Sequence, residues 1–195
     1  MVAAGSAGHP VLGVIAGVRD RLKGVADVNP TFMDLDARRM ALLGIAAARA
    51  QLDELELRVV SAAAGAADRG AARDVAGWLV VHGHRDSRTA RADARLAHAL
   101  DRRHEVLRRG MAEGRVHLDQ AHVIARALDD LPTDLAPETL AAAEAALVEL
   151  ANRHTPKELR RLGRRVWTRS PPTSPRPSWR VGWRRRRPRR GARRG

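Results

Sequence analysis

The residues best suited to chemistry in this chain are arginines spaced along a single helix. Asp74 to Leu79 reads as the start of a short apolar helix holding Trp78, a turn follows at Gly83, and a second helix begins at a cap on Asp86 or Ser87. This is how a helix-turn-helix is written. On the second helix Arg88, Arg91, Arg95 and Arg102 recur at steps of three, four and seven; at about 100° per residue they fall within roughly 60° of one another. Thr89, Leu96, Ala97 and Leu100 are expected on the opposite, apolar side. A basic stripe beside a turn can approach phosphates and reach a groove of duplex DNA. The candidate DNA contacts are therefore Arg85, Arg88, Arg91, Arg95 and Arg102. The plainer reading is a solvated face on which Asp93 and Asp101 act as local partners.

A second turn lies between Leu107 and His122, where one helix ends at Gly114 and Leu118, Ala121, Ala125 and Leu128 form the inner face of the next. This pattern resembles the helix-turn-helix of partition-type DNA-binding proteins, on glycine and apolar positions.

Other chemistries find little support. Eight histidines are present, but His82 and His84 are two apart and His117 and His122 five apart, so neither pair makes the face of a zinc-binding helix. Exposed or capping histidines are expected, and no metal. There is no cysteine, hence no disulfide framework and no thiolate nucleophile, which fits a reducing cytoplasm. No glycine-rich phosphate loop follows a strand, no serine sits in a nucleophile elbow, and the carboxylates read as surface helix charges. The chain is expected not to be an enzyme, and no cofactor or small-molecule substrate is implied. Outside the C-terminal tail the aromatics are Phe32, Trp78 and Trp167, all expected in the core, so stacking on single strands is poorly supplied.

The elements that must position the arginines are all helical. Strand signals are nearly absent, and helices are expected at about 11–23, 35–67, 74–81, 87–102, 103–112, 118–130, 137–152 and 156–167. Pro137 and Pro156 suit the first helical position, and Thr155-Pro156-Lys157-Glu158 is a capping box. On the long helix Leu42, Ile45, Leu52, Val59 and Ala63 form a seam in which Arg49 and Glu56 take two turns. The seam fits a bundle helix, or one that pairs with another copy as a coiled coil. The fold class is all-α: one long N-terminal helix, several short ones, and a basic tail. The apolar stretch Val11 to Val18 is short and broken by Gly13 and Gly17, so neither a signal peptide nor a membrane span is expected.

The net charge of +14 belongs to one end. Residues 1–158 carry 21 Lys+Arg against 22 Asp+Glu, whereas 159–195 carry 15 Arg and no acid. Residues 169–195 hold no Leu, Ile or Lys and cannot bury enough apolar area to offset chain entropy, so they are expected to be disordered alone. Arg184, Arg185, Arg186, Arg187, Arg189 and Arg190 are candidates for non-specific phosphate contacts.

Leu52 to Glu56, then Asp74 to Leu79, Ser87 to Leu100, Met111 to Gly114, His122 to Leu131, and Thr155 to Leu162 follow in an order that resembles domain-of-unknown-function family 222. This is the N-terminal helical region of actinobacterial 13E12-repeat proteins. The resemblance covers about Leu35 to Trp167 and implies an origin beside an HNH nuclease module, hence an association with DNA. It does not carry nuclease activity over, because no histidine follows His154 and 169–195 cannot hide a ββα-metal module. The tail's alphabet of Arg, Pro, Gly and Ser is what a GC-rich gene yields out of frame, so a frame-shifted, truncated member broken near Thr168 is expected.

The domains expected are an N-terminal helix and linker at 1–34, a helical domain at 35–168 and the basic tail at 169–195. The function expected is a non-catalytic, cytoplasmic, DNA-associated module whose partner is duplex DNA. The alternatives are an interaction or oligomerisation domain working through the long helix, and a remnant with no selected function.

Overall fold

In a computed structural model the described residues are 8–63 and 74–169, with side chains described as far as Gly163. Eight α-helices and one 3-10 turn lie among them, and no strand. The helices are α1 (Pro10–Lys23), α2 (Leu35–Ala62), α3 (Val75–Gly83), α4 (Ser87–Arg102), α5 (Glu105–Ala112), α6 (Leu118–Asp129), α7 (Pro137–Ala151) and α8 (Pro156–Arg169). The all-α expectation is met. The expected end of the long helix at Ala67 lies outside the described residues, as do all six tail arginines.

Local chemistry explains most boundaries. Asp74 accepts the Gly77 N–H at 2.6 Å to start α3, and Asp86 Oδ1 accepts the N–H groups of Arg88 and Thr89 at 2.9 and 3.0 Å to start α4. Those bonds, that from Thr89 foremost, hold the Asp86 carboxyl below the usual range. At α8 the expected capping box is present: Glu158 accepts the Thr155 N–H at 2.8 Å and Thr155 Oγ1 accepts the Glu158 N–H at 3.4 Å. The turn after α3 uses His84, not Gly83, as its left-handed residue, at φ 51°. α5 starts at Glu105 and not Arg103, because Arg103 still donates its N–H to the Ala99 carbonyl of α4.

The chain divides into two compact units, Met1–Ala48 and Arg49–Gly195. In the first, α1 has no buried residue. Phe32, expected in a core, is 90% exposed.

In the second unit α6 is the hub, packed against α4, α5, α7 and α8, while α3 packs on α4. Leu107, Met111, Val116 and Ile124 are fully buried, joined by Leu57 and Val60 from the end of α2, Leu96 and Leu100 from α4, Leu128 from α6, Leu147 from α7 and Leu159 from α8. Each such side chain contributes about 1.5–3 kcal/mol on burial. α5 and α7 approach closely at Gly110, where an added Cβ would lie 3.0 Å from Val116 Cγ2 and 3.2 Å from Val148 Cγ1.

Two further apolar expectations need correction. Trp78 is half-exposed, its ring tilted by 40° to that of His82 on its own helix with centroids 5.0 Å apart, because the α3 side facing the core is occupied by Ala76 and Leu79. Along α2 the seam residues Leu42, Ile45, Leu52 and Val59 are exposed, and the buried side is Ala50, Glu54, Leu57 and Val60. Glu54 can enter that face because Arg58 Nε lies 3.1 Å and Arg108 Nη1 3.5 Å from its Oε1.

Candidate nucleic-acid interface

The start of α4, fixed by the Asp86 cap, sets the direction in which its arginines leave the helix. Arg88, Arg91, Arg95 and Arg102 are all exposed. The buried side of α4 is Ala90, Asp93, Leu96, Ala97, Ala99 and Leu100, so Thr89, expected among the apolar residues, is exposed. Arg102 lies 3.5 Å from its neighbour Asp101. Among the described residues, Arg91 and Arg95 have no carboxylate within ion-pair distance.

Arg85 is set apart from this stripe. Its Nη1 donates to Glu56 Oε1 at 2.6 Å and to Asp93 Oδ2 at 3.2 Å, which commits the guanidinium to the protein. Asp93, expected as a surface partner for the stripe, is only 2% exposed. Its second oxygen lies 2.9 Å from His122 Nε2, so one carboxylate joins the α3–α4 turn to α6. The nearby Asp53 carboxyl is raised by burial, an effect that Arg85 opposes and Asp93 reinforces.

Sequence reasoning missed the buried polar groups, having placed the carboxylates on the surface. Glu144 of α7 is buried and accepts the Leu107 N–H of α5 at 2.8 Å. Gln120 donates to the carbonyls of Ala151 and His154 at 2.8 and 2.9 Å while its Oε1 accepts the His117 N–H at 2.9 Å. His104 is buried, neither ring nitrogen has a hydrogen-bond partner among the described residues, and burial lowers its pKa. Exposed or capping roles were expected for histidines; His9 caps α1, whereas His104 and His122 face partners contributed by other elements. The signal available in the sequence was weak: an acid at an inward helical position, seen at Asp93 between Ala90 and Ala97.

Behind the stripe a groove of about 850 Å³ runs between α4, α6 and α8, lined by Arg95, His122, Arg126 and Arg160 over a floor that includes Ala99 and Ala125. A smaller cavity of about 220 Å³ adjoins Glu54, Arg58 and Arg108. No group of three or more His, Asp or Glu suited to a metal lies among the described residues. Among the same residues no helix is long and apolar enough to cross a membrane.

No curated protein and no solved structure matches the chain. A family profile does match, over residues 39–194. By that match, which takes in α4, its arginine stripe and the groove behind it, the chain belongs to the family described as Domain of unknown function (DUF222).

Proposed function

We propose that this protein is a non-catalytic helical module that associates with duplex DNA through the exposed face of α4. The observation that carries this is the position of Arg91 and Arg95: both are exposed on a rigidly capped helix and unengaged by carboxylates among the described residues. A guanidinium already paired gains little from a phosphate, whereas an unpaired one exchanges condensed counterions for the contact. Arg88, beside them at the helix start, extends the same face. Anisotropy of a labelled duplex tests the reading: Arg88→Gln/Arg91→Gln in the full chain weakens binding severalfold, and unchanged affinity would contradict it.

A second reading has its own observation. Leu42 and Ile45 of α2 are 69% and 51% exposed, and Leu52 and Val59 continue the same seam. Apolar side chains repeated at this spacing on a long helix suit pairing with a second copy. Sedimentation of the full chain tests it, with a dimer expected at micromolar concentration and a monomer contradicting it.

A further inference from the structure

The groove behind α4 contains more than the stripe requires. Arg95 of α4, Arg126 of α6 and Arg160 of α8 line one depression, so three helices each bring a guanidinium to it. Arg95 and Arg126 are exposed, and neither has an ion pair with a described carboxylate. The space exists because the surrounding residues are small. Ala92, Ala99 and Ala125 lie along it, and at Gly163 an added Cβ would sit 3.1 Å from the Ala127 Cβ, so α8 lies close on α6 and larger side chains would crowd the end. His122 forms part of the wall, its ring held at Nε2 by the buried Asp93. Two acids also line the groove, Asp129 and Asp130, and Asp129 is engaged by Arg103 at 3.1 Å. The groove is thus lined by three arginines against two acids.

We infer that this groove is a phosphate-binding site in which Arg95 and Arg126 hold one phosphate group over the alanine floor. Guanidinium groups present forked donors that match phosphate oxygens, and walls of protein around them raise the local potential above that of an open helix face. The inference rests on the DNA reading for its main source of phosphate, a backbone phosphodiester adjoining the α4 stripe. Free phosphate presents the same chemistry.

The full chain, the variant Arg126→Gln and the stripe variant Arg88→Gln/Arg91→Gln separate the two ideas. Arg126 is on the surface, so its replacement leaves the fold intact, and the His122 ring resonances report occupancy of the groove. With a duplex, and separately with inorganic phosphate, these resonances are expected to shift in the parent chain and not in Arg126→Gln. Arg126→Gln is also expected to lower the salt slope of duplex binding by about 0.9, one phosphate's worth. A shift with phosphate alone would assign the site to the free anion, supporting the groove and removing the duplex as its source of phosphate, while the Arg88 and Arg91 dependence of duplex binding decides the DNA reading separately. Duplex binding that depends on Arg88 and Arg91, with unmoved His122 resonances and an unchanged slope in Arg126→Gln, would overturn the groove and leave the stripe standing. Resonances that respond to neither probe would likewise overturn it.

Discussion

Asp93 Oδ1 and His122 Nε2 lie 2.9 Å apart, and this contact ties the buried side of α4 to the wall of the groove on α6. The other Asp93 oxygen holds Arg85 at 3.2 Å, which Glu56 also binds. One buried carboxylate thus sets both the turn ahead of the arginine helix and the ring behind it. Asp93→Ala leaves Arg85 and His122 without this partner, and a loss of about 3 kcal/mol is expected in urea unfolding. A loss within experimental error would show that the network is incidental to stability.

Glu144 serves a backbone donor. Its Oε1 accepts the N–H of Leu107, which is fully buried. Glu144→Gln keeps an acceptor there and should be close to the parent, whereas Glu144→Ala strands the amide at a cost of about 1–3 kcal/mol. Hydrogen exchange of the Leu107 amide checks the assignment, with faster exchange expected only in the alanine variant.

His104 makes stability depend on pH. Burial lowers its folded pKa below the ordinary 6.5, against the opposing pull of Glu144 and Asp129. The unfolded chain therefore binds this proton first as pH falls. Its contribution to stability is fully present above about pH 6.5, is lost as pH falls through the lowered folded value, and then levels off. Unfolding free energies measured across that window should fall more steeply for the parent than for His104→Gln; equal slopes would remove His104 from the account.

What could be read from the sequence was what is local. The Thr155–Glu158 box, the Asp86 cap and the prolines at Pro137 and Pro156 act within a few residues of themselves, and each marks its helix where expected. The orientation of α2 could not be read in this way. Its apolar seam looks like the buried side, yet Leu42 is exposed, and Glu54 is buried where Arg108 of α5 reaches it from far along the chain. The site shows the same division. The spacing of Arg88, Arg91 and Arg95 was legible, whereas the loss of Arg85 to Glu56 and Asp93 depends on tertiary contacts. Trp78 misled because a tryptophan in an apolar helix is usually interior, and here Ala76 and Leu79 take that side.

The exposed seam of α2 carries its own expectation. Leu42→Lys and Ile45→Lys replace side chains that are 69% and 51% exposed, so the folded monomer should tolerate both changes. If the seam pairs with a second copy, the double variant sediments as a monomer where the parent is a dimer. Identical sedimentation of the two would dismiss the seam as an interface.

The central claim, that α4 meets DNA, is tested most directly by the salt dependence of duplex binding in the full chain and in Arg88→Gln/Arg91→Gln. The tail arginines remain in both, so their contribution cancels in the comparison. Each phosphate contact contributes about 0.9 to the slope of log affinity against log salt, so the double variant should show a slope smaller by about 1.8. Parallel slopes with equal affinities would contradict the claim and leave α4 with a solvated basic face.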